Sequence, residues 1–123
     1  MKIANPIARV GEDLACEYLK KKGYKIIERN FRKRYQEIDI IAIQAQGPTL
    51  VFVEVKTRRS NSFGSPFESI ARWKLNHLVR LAQYYKQLHS ELPDYLRIDA
   101  IGLILSQDNK LENIEHLENI SGF

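Results

Sequence analysis

The sequence predicts an α/β fold in which a mixed central sheet is flanked by a helix on each side. Two segments have the apolar periodicity of helices, five strand-length apolar runs lie around them, and turn-forming residues separate these elements. Their order along the chain is α-β-β-β-α-β-β, as expected for a sheet that one helix covers on each face. We expect a single domain over residues 1–123, because this length supplies one core and is short for two.

Both helices are predicted from their boundary residues and from their apolar stripes. The first is predicted to start with Asn5 as its N-cap and Pro6 as its first helical residue, and to end at Gly23. Its inward-facing stripe is expected to be Ile7, Val10, Leu14 and Tyr18, with Ala8, Ala15 and Leu19 beside it. The second helix is predicted over Phe67–Leu88. Lys74 falls inside its apolar stripe, so the ammonium group is expected to reach either solvent or a phosphate.

Runs of β-branched and aromatic residues predict the strands. They cover Tyr24–Arg32, Ile38–Ile43, Leu50–Val55, Tyr95–Leu105 and a weaker edge strand at Leu111–Leu117. A turn at Gln46-Gly47 joins the second and third strands into a hairpin in which the numbers of paired residues add up to 93. Asp39 is therefore predicted to face Glu54 across the hairpin.

Positive charge is concentrated in the first part of the chain. Residues 1–74 carry 15 Lys and Arg against 8 Asp and Glu, whereas residues 75–123 carry 4 against 7. The segment Lys20–Arg34 alone holds eight basic residues and one acid. A basic face of this kind is what a polyanionic partner requires, although a merely solvated surface has the same composition.

The cysteine content and the N-terminal segment indicate an intracellular protein. Cys16 is the only cysteine, so no intrachain disulfide can form and a reducing compartment is expected. Residues 1–22 do not have the pattern of a signal peptide, since Arg9, Glu12 and Asp13 interrupt any apolar core. No apolar run has the length of a membrane span. We therefore expect a cytoplasmic protein without a membrane partner.

Charged side chains interrupt the apolar hairpin at Glu37-Ile38-Asp39 and at Glu54-Val55-Lys56. Because side chains alternate along a strand, Lys56 is expected to project from the same face as Glu54, with Asp39 opposite on the neighbouring strand. Opposed carboxylates destabilise a hairpin, so this arrangement is typical of a site that holds a cation. Oxygen ligands with few other donors favour Mg²⁺ or Mn²⁺ over zinc.

The spacing acid-x-Lys has little weight by itself. One such match is expected by chance at this composition, and Asp108-Asn109-Lys110 is a second match in a predicted turn. The context carries the prediction: an acid in facing register, and the basic segment Thr57-Arg58-Arg59 directly after the lysine. A structural alternative stays open, in which Lys56 forms an ion pair with Asp39 or with Glu54 on an exposed face of the sheet.

Several short motifs together resemble a known family. They are Gly11-Glu12, Lys22-Gly23-Tyr24, Arg29-Asn30, Glu37-Ile38-Asp39, Val53-Glu54-Val55-Lys56-Thr57-Arg58 and Arg97-Ile98-Asp99. On these motifs, and over nearly its full length, the chain resembles the YraN-like family of small bacterial proteins. That family is similar to archaeal Holliday-junction resolvases and to the wider restriction-endonuclease-like, PD-(D/E)xK superfamily. The resemblance implies a restriction-endonuclease-like α-β-β-β-α-β core, in agreement with the element order above.

The resemblance also implies roles for the charged residues. Asp39 and Glu54 would bind Mg²⁺ or Mn²⁺ with help from the carbonyl of Val55. Lys56 would position or activate the attacking water, and Glu12 would complete the acidic cluster. Catalysis would then rest on Asp39, Glu54, Lys56 and Glu12.

Two positions depart from the pattern of the family. Ile38 stands where the superfamily's name has proline, which leaves the assignment of Asp39 unchanged. Gln36 stands where a glycine is expected before Glu37-Ile38-Asp39, so its side chain is expected to narrow the approach to the site or to alter a turn.

Other polar and aromatic residues are expected to be structural. Glu37 is predicted to form an ion pair, and Asp99 is predicted to pair with Arg97 or with a neighbouring strand. The histidines show no ligand spacing and are expected to be structural or exposed: His77, His89 and His116. Three aromatic residues are predicted in the core or at an interface, with base stacking as the alternative: Trp73, Tyr84 and Tyr85.

Together these residues predict a divalent-metal-dependent nuclease, an endonuclease that hydrolyses phosphodiesters of DNA, structured or branched DNA included. Backbone phosphates would be held by Arg32, Lys33, Arg34, Arg58, Arg59, Arg72 and Lys74. Two other functions stay open. One is a nucleic-acid-binding module that keeps the fold without cleaving, and the other is a basic protein-interaction domain. The sequence also leaves open whether the protein forms a homodimer.

Overall fold

The computed structural model describes residues 6–60 and 64–123 and has the predicted order of elements. These elements are α1 (Pro6–Lys21), β1 (Lys25–Lys33), β2 (Gln36–Gln44), β3 (Thr49–Arg59), a 3₁₀ turn (Pro66–Ser69), α2 (Arg72–Leu88), β4 (Tyr95–Leu105) and β5 (Leu111–Leu117). The predicted α/β class and the α-β-β-β-α-β core order are therefore confirmed, and β4 and β5 have the predicted bounds. Asn5, the predicted cap of α1, lies outside the described residues.

The five strands form one mixed sheet with the order β1-β2-β3-β4-β5. Neighbouring strands are antiparallel except β3 and β4, which are parallel. A parallel pair needs a crossover connection, and the segment that contains the 3₁₀ turn and α2 supplies it. As a result α2 lies against one face of the sheet and α1 lies against the other.

The register between β2 and β3 agrees with the prediction. The ladder runs from Gln44 paired with Thr49 to Ile40 paired with Val53, so paired residue numbers add up to 93. Extending this register by one position brings Asp39 opposite Glu54.

The two faces of the sheet carry separate apolar cores. Under α1, Ala15 and Leu19 pack against alternate residues of β2, β3 and β4. The buried residues of α1 are Gly11, Ala15, Cys16 and Leu19. Ala15 and Leu19, predicted beside the stripe, therefore form its centre, whereas Leu14 and Tyr18, predicted as its centre, are only partly buried. The reason is the close approach of α1 to β3, because a Cβ atom on Gly11 would lie 1.9 Å from Oγ1 of Thr57.

The second helix starts later than predicted. Pro66–Ser69 forms a separate 3₁₀ turn, capped by the Ser65 side chain, and Ala71 is still extended with φ −80° and ψ 159° before α2 begins at Arg72. The predicted start at Phe67 was wrong because this turn packs on β4. A Cβ atom on Gly102 would lie 2.8 Å from the Phe67 ring, so the glycine makes room for it. None of the helices that the structure describes is long and apolar enough to cross a membrane.

A buried polar network ties β4 to β5 on the face that α1 covers. Asp99 is fully buried and accepts hydrogen bonds from Arg97 Nε at 2.9 Å, His116 Nε2 at 2.8 Å and the backbone N–H of Asn119 at 2.9 Å. Burial alone would raise the pKa of Asp99, but the hydrogen bonds from His116 and Arg97 outweigh this effect and lower the pKa. The predicted pairing of Asp99 with Arg97 is present in the structure.

Candidate active site

Side-chain alternation along β2 breaks at Asp39. Ile40 belongs to the core under α1, whereas both Ile38 and Ile41 belong to the core under α2. Regular alternation would place Ile38 and Ile40 on the same face. On β1, Asn30 lies opposite this break, between the pairs Arg29–Ile40 and Phe31–Ile38, and has a left-handed φ of 55°. Asp39 therefore occupies an irregular point of the sheet, a kind of position that is enriched near functional sites.

Asp39 and Glu54 form a buried carboxylate pair. Oδ2 of Asp39 accepts a hydrogen bond from the backbone N–H of Val55 at 2.8 Å, and the Glu54 carboxylate lies close enough to act on the pKa of Asp39. Glu54 is 5% exposed. Burial and the negative charge of Glu54 raise the pKa of Asp39 to about 8. Near neutral pH the pair therefore shares a proton.

Two lysines stand beside the carboxylate pair. Nζ of Lys74, from α2, lies 3.5 Å from Oε2 of Glu54. Lys56 is half-buried, and its burial, together with the nearby charge of Lys74, lowers its pKa against the attraction of Glu54. Within residues 6–60 and 64–123, no ion pair joins Lys56 to Asp39 or Glu54, so the ion pair of the structural alternative is not seen there. The cation that pairs with the site is Lys74 instead.

Glu12 reaches the same region from α1 but has other partners. Its Oε1 accepts from Arg29 at 3.1 Å, and its Oε2 accepts from Asn30 at 3.2 Å. Its charge still contributes to the raised pKa of Asp39. Among the described residues, no group of three His, Cys, Asp or Glu side chains is arranged to hold a metal ion. A role of Glu12 in completing the acidic cluster stays a prediction.

The carboxylate pair lines a cavity of about 260 Å³ between the β1–β2 hairpin and α2. Its walls are formed by Tyr35, Gln36, Glu37, Asp39, Glu54, Trp73, Lys74, His77, Leu78 and Leu81. Gln36 forms a hydrogen bond with Nδ1 of His77 across this cavity, in keeping with the predicted narrowing of the approach.

The cavity wall includes residues that were not predicted as site residues, among them Tyr35, Trp73 and His77. Trp73 is 66% exposed, so its predicted place in the core was wrong, while a place at an interface or in base stacking stays a prediction. His77 follows Trp73 by four residues and therefore lies on the same side of α2, with the two rings 5.6 Å apart. Tyr35 is fully exposed in the two-residue turn between β1 and β2. The helical spacing of Trp73, Lys74 and His77 was the signal available for α2, but it becomes meaningful only once α2 is placed over β2.

The carboxylate oxygen atoms of the pair are ligands that suit a hard divalent cation. Oε2 of Glu54 is buried and has no hydrogen-bond partner in the part of the chain that the structure describes. The ammonium of Lys74, at 3.5 Å, compensates its charge without a hydrogen bond of good geometry. Mg²⁺ is commonly bound through one or two carboxylates, with water and substrate oxygens as its other ligands. Asp39 and Glu54 fit this requirement, and Val55 adjoins them.

The predicted phosphate-binding residues fall into groups with different surroundings. Arg32 forms an ion pair with Glu37 at 2.7 Å, which is the predicted pairing of Glu37. Lys33 lies over the Tyr84 ring, with Nζ 3.5 Å from the ring centroid. Arg59 donates to the backbone carbonyl of Ser106 at 2.9 Å and thereby holds the β4–β5 turn.

The other predicted phosphate-binding residues are distributed around the site. Arg34 lies in the β1–β2 turn, Arg72 begins α2, and Arg58 follows Lys56 by two residues and so projects from the same face of β3. The structure thus brings Lys33, Arg34 and Lys74 to the side of the sheet that carries the cavity. Binding of nucleic acid by any of these residues stays a prediction.

Known proteins resemble this chain in sequence and, more distantly, in structure. A solved structure described as "Structure of EndoMS-dsDNA2 complex" matches with a TM-score of 0.36 and 16% identity, over 85% of this chain and 38% of that chain. A UPF0102 protein of Caldicellulosiruptor saccharolyticus is 44% identical over 109 residues, which cover 89% of this chain and 91% of its own. A UPF0102 protein of Dictyoglomus turgidum is 40% identical over 116 residues, covering 92% and 94%. Residues 11–103 match the family described as "Uncharacterised protein family UPF0102". The chain therefore belongs to the UPF0102 family.

Proposed function

We propose that this protein is a divalent-metal-dependent nuclease that hydrolyses phosphodiester bonds of DNA at the Asp39–Glu54 pair. The observation that carries the proposal is the buried pair itself, in which Oε2 of Glu54 lacks a hydrogen-bond partner among the described residues. Burying two carboxylates side by side is costly unless a cation or a proton compensates them. The cavity makes this pair accessible from outside, as a substrate site requires.

Asp39 and Glu54 would hold Mg²⁺ or Mn²⁺, with the carbonyl of Val55 as a further ligand. When bound, such an ion supplies Lewis-acid stabilisation of the phosphoryl charge and a lowered pKa for attacking water. The hydrogen bond from the Val55 N–H fixes Oδ2 of Asp39, so the orientation of this carboxylate is set before any ion arrives.

Lys56 would act on the phosphate and on the attacking water. Its place on β3, two residues after Glu54, directs its ammonium group toward the same face of the sheet. Burial lowers its pKa, which makes the loss of a proton easier than for an exposed lysine. Lys74 would move from Glu54 to a substrate phosphate, because a divalent cation at the carboxylates would take over its present role.

A second function is favoured by two observations. Lys74 pairs with Glu54, and Gln36 bonds to His77 across the cavity, so both contacts restrict the site. A protein that keeps the fold and binds nucleic acid without cleaving it would tolerate these contacts. A basic protein-interaction domain is the remaining alternative from the charge distribution.

The test is a cleavage panel with the full chain. End-labelled duplex, branched and single-stranded DNA and a matching RNA are incubated with Mg²⁺, Mn²⁺ or EDTA. We expect cleavage of DNA with either metal, none with EDTA, and a loss of at least about 100-fold in Glu54→Gln, as for the removal of one catalytic charge. Glu112→Gln on β5 is the matched control, because this glutamate is exposed and lies on the far edge strand.

Absence of cleavage with both metals, in the presence of salt-dependent DNA binding, would favour the binding module. Cleavage that survives in Glu54→Gln would refute the proposed site.

A further inference from the structure

We propose that the groove between the β1–β2 hairpin and α2 binds an unpaired stretch of nucleotides and leads it to the Asp39–Glu54 pair. This inference rests on the proposed function and names the substrate class of the same site. It predicts a preference for single-stranded DNA, or for DNA with unpaired ends or flaps, over fully paired duplex.

The groove extends beyond the cavity at the carboxylates. A second cavity of about 450 Å³ lies next to it and is lined by Lys33, Arg34, Tyr35, Gln36, Arg80, Leu81 and Tyr84. Tyr35, Gln36 and Leu81 line both cavities, so the two are adjacent. The volume of the second falls in the range of small-molecule sites, about 300–1,000 Å³. The second cavity is therefore large enough for one nucleotide, and the shared residues place it beside the cavity at the carboxylates.

The cations of the second cavity have no carboxylate partner among the described residues, and Lys33 contacts the face of the Tyr84 ring. Within the described residues, no carboxylate lies within ion-pair distance of Lys33, Arg34 or Arg80. Some basic residues elsewhere in the chain are paired, as Arg29 is with Glu12 and Asp13 at 3.1 and 2.8 Å. Unpaired cations on the wall of a groove favour a polyanion, and phosphates of a nucleotide chain satisfy this requirement.

The aromatic side chains select between paired and unpaired nucleic acid. Tyr35, from the hairpin, is fully exposed, and Trp73, from α2, is 66% exposed, yet both line the cavity at the carboxylates. Two exposed rings at the wall of one cavity suit a ligand with flat apolar faces, because nucleic-acid bases stack on aromatic side chains. Bases in a duplex already stack on each other, whereas unpaired bases are free to stack on protein rings.

The turn that carries Tyr35 has a strained backbone. Arg34, the first residue of the two-residue turn, has a φ of 58°, a conformation that glycine and asparagine adopt more easily than arginine. An asparagine at this position is therefore compatible with the backbone. Arg34→Asn removes the charge while keeping the turn, which makes it a suitable test variant.

Trp73 is the only tryptophan of the chain and reports directly on stacking. The full chain, in EDTA to prevent cleavage, is titrated with a single-stranded oligothymidylate and with a duplex of equal length, and tryptophan fluorescence and fluorescence anisotropy of labelled DNA are recorded. We expect saturable quenching by the single strand and at least about tenfold tighter binding than to duplex. Tyr35→Ala should weaken binding of the single strand roughly 5- to 100-fold, the range for the loss of one stacked base.

Two matched controls test whether loss of an exposed ring or of a positive charge outside the groove also weakens DNA binding. Tyr95→Ala removes a tyrosine that is 75% exposed at the start of β4, away from the groove, and is expected to leave affinity unchanged. Lys21→Asn removes a charge at the end of α1, on the other face of the sheet, and should weaken binding less than Arg34→Asn.

Equal or tighter binding of duplex without quenching of Trp73 would overturn the inference. So would equal quenching by polyglutamate, which would make the groove a docking surface for an acidic protein. If metal-dependent cleavage is present without single-strand preference, the inference fails while the proposed function stands. If single strands are preferred and nothing is cleaved, the inference stands and the proposed function fails.

Discussion

Replacing Asp39 with asparagine removes one acid from the buried pair while nearly preserving its shape. The asparagine oxygen can still accept from the Val55 N–H, and the amide can donate to Glu54. The metal-free variant therefore keeps the hydrogen bond from Val55, while position 39 no longer binds or releases a proton. Its stability should differ from that of the parent mainly through the titration of Asp39.

The magnitude follows from the raised pKa. Folding raises the pKa of Asp39 from 3.8 to about 8, so the folded protein retains a proton that the unfolded chain has lost. Stability of the parent is therefore lost as pH rises between these two values, by at most about 1.4 kcal/mol per pH unit. Between pH 6 and pH 8 the parent should lose up to roughly 3 kcal/mol relative to Asp39→Asn.

Urea unfolding at pH 6, 7 and 8 in EDTA measures this difference. Asp94→Asn is the control, because the Asp94 side chain is 93% exposed and its replacement should not change the pH profile. Mg²⁺ should then raise the free energy of unfolding of the parent at pH 8, by about 1.4 kcal/mol at a concentration ten times its dissociation constant. The asparagine variant should gain much less, since it has lost one ligand.

A different result would refute the reasoning. If Asp39→Asn is less stable than the parent by the same amount at every pH, and Mg²⁺ affects neither protein, Asp39 is a structural residue. The pair would then not be a cation site.

Three other predictions concern separate parts of the molecule. Lys56→Ala should keep metal binding and reduce hydrolysis about 10²- to 10⁴-fold in single-turnover assays, and unchanged turnover would remove its assigned role. With about six phosphate contacts, log K for duplex DNA should fall with log salt at a slope of about −5. Neutralising Lys33 and Arg34 should flatten this slope by about 2, and a flat profile in the parent would exclude nucleic acid as the partner. Asp99→Asn should lower the free energy of unfolding by about 3–5 kcal/mol at pH 7, because Arg97 loses its buried counterion. The contribution of Asp99 to the free energy of unfolding is present above its unfolded pKa and is lost as pH falls through its lowered folded pKa. The difference in unfolding free energy between the parent and Asp99→Asn should therefore be smaller at pH 3 than at pH 7.

The hairpin of β2 and β3 could be predicted because local rules determine it. The turn at Gln46-Gly47 sets the register, and alternation along β3 places Glu54 and Lys56 on one face. The apolar runs also predicted where β4 and β5 begin and end, because polar turns end both strands. These features depend on neighbours in sequence or on one strand pairing.

The rest of the site depends on tertiary placement. Nothing in the local pattern indicates that Asn30 adopts a left-handed φ opposite Asp39 and so interrupts the alternation of β2. The partner of Lys74 could not be predicted, because it is determined by where α2 lies over the sheet. The same holds for the wall formed by Tyr35 and His77, which come from a turn and a helix 42 residues apart in the sequence.

The central claim is that Asp39 and Glu54 hold a divalent cation, and anomalous scattering tests it most directly. Crystals of the full chain are soaked with millimolar Mn²⁺, and data are collected above the manganese absorption edge. We predict one strong anomalous peak between the carboxylates of Asp39 and Glu54, with Lys74 displaced from its position 3.5 Å from Glu54. An empty carboxylate pair at saturating Mn²⁺, with Lys74 still in contact with Glu54, would contradict the account.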